Sequence, residues 1–193
     1  MSHSDDPRSN HADTAAMAAL RDGDDTALNA IMDRWQEPIT AFLYRTVGSY
    51  ETALDLSQEV FVRIHRSRSS YKEGGNFSSF IFTIAANLAK NHFRWKGRHP
   101  EVPFDSGLSR GHNSREGSPS EYMEKTEESA RIKKSIHSLP EILRVPVILY
   151  YFHEMPHSEI ANILKCSEKT VETRLYRARK KLKSLLSDQK GEG

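Results

Sequence analysis

Residues 156–186 read PHSEIANILKCSEKTVETRLYRARKKLKSLL, and this stretch predicts two amphipathic helices joined by a tight turn. A short apolar helix follows Pro156, and the turn 165–167 ends in Ser167, a residue type that favours the N-cap position. In the second helix the apolar residues recur at spacings of four and three, and they are Val171, Leu175, Ala178, Leu182 and Leu185. A short helix, a tight turn and a longer helix with a basic outer face predict a helix-turn-helix, whose second helix fits a DNA major groove.

The outer face of the second helix is predicted to make two kinds of contact with DNA. Near the helix N-terminus, Lys169, Glu172 and Thr173 are placed to meet base edges; Glu172 either accepts a hydrogen bond from a cytosine amino group or repels a phosphate. The cations suited to phosphate groups lie further along, and they are Arg174, Arg177, Lys180 and Lys181. Residues 165–190 carry nine basic and three acidic side chains, an asymmetry that favours a polyanionic partner. A plain helical hairpin with a basic surface is the alternative.

Immediately upstream, residues 153–157 read HEMPH, which is the H-E-x-x-H pattern of zinc peptidases. Zinc binding by this pattern requires both histidines on one face of an unbroken helix. Pro156 lacks a backbone donor and pushes Met155 away from helical dihedral angles. The pentapeptide is therefore predicted to be a junction between two helices, and no metal or other cofactor is expected.

The N-terminal half contains three further amphipathic stretches, at residues 27–47, 50–68 and 76–96. Pro38 predicts a kink or break near Glu37 in the first of them. The second and third are separated by a loop that contains Gly74 and Gly75. Residues 97–120, GRHPEVPFDSGLSRGHNSREGSPS, have no periodic apolar face and read as a linker.

These patterns predict an all-α protein with two small helical domains joined by a flexible linker. The expected boundaries are a disordered tail at 1–11, a domain at 12–97, the linker at 98–120, a second domain at 121–187 and a tail at 188–193. No apolar run approaches the length that spans a bilayer, and the polar, acidic N-terminus has no secretory signal pattern. The single cysteine, Cys166, excludes an internal disulfide, so we expect a cytoplasmic protein without membrane insertion.

Two polar surfaces are predicted in the N-terminal domain. The stretch 53–64 places Asp55, Gln58, Glu59 and Val62 opposite its apolar stripe, which suits contact with another protein. In the stretch 76–98, Asn87, Asn91, Arg94 and Arg98 share one face at helical spacing, with aromatic residues interleaved. Amides and cations among aromatic rings are what a single-stranded nucleic acid requires.

Four motifs, in order, resemble bacterial sigma factors, and in particular the small extracytoplasmic-function (ECF) group. They are RDGD at 21–24 followed by Ala27-Leu28, DLSQEVFVRIH at 55–65, FSSFIFTIAANLAKNHFR at 77–94, and SLPEILRVPVILYYFHEMPHSEIANILKCSEKTVETRLYRARKKL at 138–182. The resemblance implies a region 2 domain, a region 4 helix-turn-helix domain, and a linker through the RNA-exit path of RNA polymerase. It implies a sigma factor, not an enzyme, that brings the polymerase core to promoters by recognising a −35 element and melting a −10 element.

The resemblance also implies partners and residue roles. The β′ clamp of the polymerase core is expected to bind Asp55, Leu56, Gln58, Glu59, Val60 and Phe61, and the core's β subunit is a further expected partner. Single-stranded −10 DNA is expected to bind Tyr71, Lys72, Phe77, Asn87, Lys90, Asn91, Arg94 and Arg98, with Asn87 beside a flipped-out base. Duplex −35 DNA is expected to bind Lys169, Thr170, Glu172, Thr173, Arg174, Tyr176, Arg177 and Lys180.

Two positions depart from the family pattern. Glu172 stands where many members have a basic residue, which affects −35 preference, and the Gly74-Gly75 loop is irregular.

An anti-sigma protein is a further expected partner. The alternative function is a stand-alone helix-turn-helix transcriptional regulator that binds duplex DNA without the polymerase core.

Overall fold

Eight α-helices and one short 3-10 helix form the described part of the chain, residues 7–71, 75–99 and 127–188 of a computed structural model. These ranges contain no strand, so the all-α prediction is confirmed, and none of their helices is long and apolar enough to cross a bilayer. The helices are α1 Pro7–Arg21, α2 Ala27–Val47, α3 Tyr50–Arg66, α4 Phe77–Arg98, α5 Glu127–His137, α6 Glu141–Phe152, α7 His157–Leu164 and α8 Glu168–Asp188, with the 3-10 helix at Arg68–Ser70.

Helix α1 begins at Pro7, inside the stretch predicted as a disordered tail. Proline is well suited to the first turn of a helix, where its missing N–H is not needed. The α1 side chains then fix the helix to the rest of the domain, because Asn10 Oδ1 accepts a hydrogen bond of 2.9 Å from the Phe77 N–H at the start of α4. Most of the predicted linker, together with the rest of residues 100–126, lies outside the described residues.

Asp13 of α1 is a buried carboxylate that ties α1 to α2. It is 1% exposed, forms an ion pair with Arg34, and accepts a 3.1 Å hydrogen bond from Trp35 Nε1. Burial raises the pKa of Asp13, while the charge of Arg34 and the two hydrogen bonds oppose that rise. A carboxylate in this position is tolerated because both of its oxygen atoms have donors.

A kink or a break was predicted near Glu37; helix α2 continues through Pro38, so a break does not occur. Its buried residues lie on both sides of the proline, and include Trp35, Ile39 and Phe42. A proline inside a helix costs about 3 kcal/mol, which the burial of several large apolar side chains exceeds. The helix ends at Val47 and is capped by Gly48, whose φ of 87° is a left-handed conformation that glycine adopts without strain.

Helices α3 and α4 follow the predicted apolar stripes, and side-chain caps fix their first residues. Ser49 Oγ accepts from the Thr52 N–H at 3.3 Å, and Asn76 Oδ1 accepts from the Ser78 N–H at 2.9 Å. Each cap satisfies a backbone donor that has no partner within its own helix. The buried side of α4 packs against α2 and α3, and this core fixes the direction of its opposite side.

The helix-turn-helix is confirmed, with α7 as its first helix and α8 as its second. Helix α6 ends at Phe152, Glu154 has a φ of 52°, and α7 begins only at His157, after Pro156. HEMPH therefore connects two helices, as predicted, and its histidines do not share a helical face. The turn contains Lys165 in a left-handed conformation, and the Ser167 hydroxyl caps α8 by accepting from the Thr170 N–H at 3.2 Å.

The two helical groups pack against each other, α6 on α2 and α7 on α4. His153 lies in this contact, with its ring centroid 4.7 Å from that of Phe82 and 5.9 Å from that of Phe42. Burial lowers the pKa of His153 to about 4, and the nearby positive charge of Arg45 acts in the same direction. The imidazole is therefore neutral at pH 7 in the folded protein.

We predict that acid weakens the folded protein partly through His153. Because an unfolded histidine takes up a proton near pH 6.5 and the folded one near pH 4, stability is fully present above pH 6.5 and falls as the pH drops towards 4. The loss by pH 4 is roughly 3 kcal/mol for this group. Urea unfolding between pH 7.5 and 4.5 should show a steeper loss for the wild type than for His153→Leu, and equal slopes would contradict the assignment.

Candidate protein and nucleic-acid interfaces

The outward side of α3 presents polar side chains. Gln58 is exposed, and Asp55 and Glu59 are half-buried. Glu59 Oε1 accepts from Arg63 Nε at 2.7 Å, which holds the carboxylate along the helix surface. These three residues form the α3 face that is available to another protein.

The apolar members of the predicted polymerase-binding motif lie elsewhere. Leu56, Val60 and Phe61 are 4%, 0% and 4% exposed, and all three belong to the hydrophobic core. Their direct contact with a partner, expected from the resemblance, is inconsistent with this burial. The motif combines core positions, which hold α3 in place, with the exposed positions between them.

One side of α4 carries a continuous row of exposed polar residues, here called the α4 face: Asn87, Lys90, Asn91, Arg94 and Arg98. Their spacing keeps them on one side of a helix of 3.6 residues per turn. Arg98 Nε donates to the Arg94 carbonyl at 3.2 Å, and Trp95 stacks on His99 with ring centroids 4.9 Å apart. The α4 face therefore combines two amides and three cations, with a stacked aromatic pair at its C-terminal end.

The remaining predicted −10 residues have different positions. Phe77 is 0% exposed and packs against Trp35 and Phe80, so it is a core residue and cannot contact DNA in this structure. Tyr71 is half-buried, with its ring centroid 5.1 Å from that of Phe80. Lys72 lies outside the described residues.

The outer side of α8, here called the α8 face, brings together the predicted −35 residues. The exposed members are Lys169, Glu172, Thr173, Tyr176, Arg177 and Lys180, and the half-buried members are Thr170 and Arg174. Tyr176 is 66% exposed, so its ring and hydroxyl are accessible on this face. Lys169 Nζ lies 3.1 Å from Glu172 Oε2, so a lysine on the same face offsets the charge of the acidic residue.

A cleft of about 240 Å³ separates the start of α6 from the start of α8. It is lined by Ile142, Leu143, Lys169, Thr170, Thr173, Arg174 and Arg177. Sequence patterns did not identify Ile142, which is 56% exposed beside these cations. A single apolar residue in an apolar helix carries no signal that distinguishes an exposed position from a buried one.

Family models match both halves of the chain. Residues 31–99 match the model described as Sigma-70 region 2, and residues 129–182 match the model described as Sigma-70, region 4. The first range contains the α3 and α4 faces, and the second contains the helix-turn-helix.

Named relatives match along most of the chain. The RNA polymerase sigma-H factor of Pseudomonas aeruginosa is 28% identical over 180 residues, which cover 90% of this chain and 93% of the relative. The ECF RNA polymerase sigma-E factor of Escherichia coli K12 is 29% identical over 173 residues, covering 86% and 90%. Among solved structures, CnrH in complex with the cytosolic domain of CnrY has a TM-score of 0.68 at 23% identity, and covers 92% of this chain and 98% of its own.

Proposed function

We propose that each of the three exposed faces has a separate role in promoter-specific initiation. The chain belongs to the sigma-70 family, as an ECF RNA polymerase sigma factor with regions 2 and 4. The polymerase core binds the α3 face through Asp55, Gln58 and Glu59. The α4 face binds the unpaired −10 strand, and the α8 face reads the −35 duplex. RNA synthesis itself is catalysed by the polymerase core, so this chain is not an enzyme, and it acts in the cytoplasm where the polymerase and chromosome are.

The observation that carries this proposal is the α4 face. Amide groups at Asn87 and Asn91 can donate to and accept from base edges, while Lys90, Arg94 and Arg98 supply charge for the backbone. A row of this composition on one side of a helix suits a single strand whose bases have left the stack. Capturing an unpaired base offsets part of the unstacking cost of a few kcal/mol.

The α8 face suits duplex DNA for different reasons. Arg177 and Lys180 are exposed cations that neutralise phosphates, which gives affinity without sequence preference. Lys169, Glu172 and Thr173 occupy the first two turns of α8, the part of a recognition helix that meets base edges. The Lys169–Glu172 pair offers one donor and one acceptor group at that end of the helix.

The domain limits, residues 12–97 and 121–187 around a linker, remain part of this proposal. Two weak DNA-binding faces on one chain bind a correctly spaced promoter more tightly than either alone, because the second contact is intramolecular. An anti-sigma protein is a further partner that we infer, because one structural relative is the sigma factor RpoE of Bartonella quintana in complex with the anti-sigma factor NepR.

We predict that Asn87→Ala lowers open-complex formation by roughly tenfold, since one base loses its recognition. The measurement is permanganate footprinting and run-off transcription with purified core, on a promoter recovered by selecting bound genomic fragments. Asn29→Ala is the matched control, because Asn29 is an exposed asparagine on α2. Unchanged melting of the −10 element by Asn87→Ala would show that Asn87 does not capture a base.

We predict that Gln58→Ala weakens binding to the polymerase core, whereas Leu56→Ala destabilises the fold. Gln58 is exposed, so its replacement should weaken core binding several-fold and leave the urea midpoint unchanged. Leu56 is buried, so its replacement should lower the free energy of unfolding by about 2–5 kcal/mol. Fluorescence anisotropy with labelled chain measures the first effect, and Gln36→Ala on α2 is its control. Full core affinity in Gln58→Ala contradicts the assignment of the α3 face.

We predict that Arg177→Ala weakens binding of the holoenzyme to −35 duplexes of any sequence. Loss of one phosphate contact should reduce the slope of log affinity against log salt by about 0.9. Arg179→Ala serves as the control, because Arg179 lies on a different side of α8 with its Nε 3.4 Å from the Leu175 carbonyl. Equal salt slopes for Arg177→Ala and the wild type would show that Arg177 does not contact a phosphate.

A further inference from the structure

The C-terminal end of α4 carries two aromatic rings that are stacked on each other. The Trp95 indole and the His99 imidazole have ring centroids 4.9 Å apart, and their planes are inclined by 22°. Aromatic pairs favour an offset arrangement with centroids about 4.5–7 Å apart, so this geometry is a favourable one. Trp95 is half-buried and His99 is exposed, so the two rings form a short column that begins at the helix and ends in water.

Hydrogen bonds to a single carbonyl group hold His99 on the indole. His99 caps α4, and its backbone N–H and its Nδ1 lie 3.0 and 3.1 Å from the Trp95 carbonyl oxygen. Because a carbonyl oxygen only accepts, Nδ1 carries the proton in this contact. The indole covers one face of the imidazole and leaves the other face accessible. The ring is therefore oriented before a ligand arrives, which reduces the entropy that binding costs.

The Trp95–His99 stack lies at the edge of the α4 face. Residues three and four apart are neighbours on a helix, so Trp95 is flanked by Asn91 one turn before it and by Arg98 one turn after it. Arg98 Nε donates to the Arg94 carbonyl, which directs this guanidinium along the helix. A nucleotide at this end of α4 meets a ring for its base, an amide for the edge of the base and cations for its phosphates.

Core packing explains one of the two tryptophans of the chain and not the other. Trp35 is 4% exposed and belongs to the hydrophobic core, whereas Trp95 lies outside that core. A flat exposed ring beside cations suits a nucleobase, because every base has a π face that can stack on it. Bases inside an intact duplex are stacked on each other, so the outer face of His99 is suited to a base that has left the duplex.

We propose that the Trp95–His99 stack is a second base-binding position of the α4 face, where an unpaired base of the −10 strand stacks on the outer face of His99. The proposal rests on the proposed function, because it needs the α4 face to hold that strand. Asn87 and His99 are separated by about 18 Å along the helix, at about 1.5 Å per residue. A strand with about 3.4 Å per nucleotide covers this distance in about five nucleotides. The stack therefore holds a different base from the one that Asn87 captures.

Stacking of a base is measured with 2-aminopurine, whose fluorescence is quenched when the base stacks. The probe is placed at successive positions of the unpaired −10 strand in a promoter fork, which is bound to the polymerase core with this chain. One quenched position should lie about five nucleotides from the base that responds to Asn87→Ala, and His99→Ala should restore its fluorescence. The same variant should weaken fork binding about fivefold. His11→Ala is the matched control, because His11 is an exposed histidine on α1.

A conservative variant separates stacking from charge. His99→Phe keeps a flat ring and removes both nitrogen atoms, so its affinity for the fork should stay within about twofold of the wild type. A loss in His99→Phe as large as in His99→Ala would overturn the proposal, because the imidazole would then act through its nitrogen atoms.

A fully paired promoter provides the second comparison. It is tested at a temperature at which permanganate detects no melting, so no base is free to stack. His99→Ala should leave the affinity for this duplex unchanged. A loss equal to that on the fork would show a backbone contact in place of a stacked base, and it would also overturn the proposal.

The role of the indole is tested by coupling. Without Trp95 the imidazole loses its support, so adding His99→Ala to a Trp95→Ala chain should change fork affinity by less than about twofold. Full additivity of the two substitutions contradicts a joint platform. Circular dichroism and the urea midpoint check that Trp95→Ala remains folded, and the His99→Ala and His99→Phe measurements decide the matter if it does not.

Failure of this proposal can be distinguished from failure of the proposed function. If Asn87→Ala lowers melting while His99→Ala leaves the fork affinity and every 2-aminopurine signal unchanged, the α4 face binds the −10 strand and the stack does not. If neither variant has an effect, the α4 face itself has been assigned wrongly, and both proposals are rejected.

Discussion

The buried side of α4 is the surface against which the rest of the described structure is assembled. Phe77, Ile81, Phe82 and Leu88 are at most 5% exposed, and they meet α1, α2 and α3 on one side of the molecule. Burying each such side chain contributes about 1.5–3 kcal/mol, far more than any single surface contact. The rotation of α4 about its axis is therefore fixed by its core, and the α4 face points outward as a consequence. Any change that rotated α4 would move Asn87 and Arg94 together.

The local patterns of the sequence predicted the helices and the direction of their faces, because both follow from the 3.6-residue period. Asn87 and Arg94 are exposed as their spacing requires, and Ser167 caps α8. The same reasoning failed where packing outweighs local preference. Helix α2 passes through Pro38 because the apolar side chains on both sides of it are buried in one core. The start of α1 was also missed, because the hydrogen bond from the Phe77 N–H to Asn10 Oδ1 joins residues 67 positions apart in the sequence.

Motif resemblance has a different weakness, since it transfers a role without transferring an environment. The resemblance implies partner contacts for Leu56, Val60, Phe61 and Phe77, and all four are core residues here. Their contribution is to orient the exposed residues between them. The interface between the two groups left no sequence signal at all, because Ser79 and Glu159 are 80 residues apart and neither belongs to a repeating pattern. Contacts of this type become visible only when the tertiary structure is known.

The chemistry of the contact between the two helical groups explains why its geometry is specific. An interface made only of large apolar side chains would be held by burial alone, which is not directional. Here Arg144 donates to the carbonyls of Thr46, His137 and Leu139, and Glu159 accepts from Ser79. Two charged groups that are withdrawn from water therefore need particular partners. His153 adds an imidazole that packs edge-to-face against both Phe42 and Phe82. Directional polar bonds among apolar rings therefore fix how α6 and α7 rest on α2 and α4.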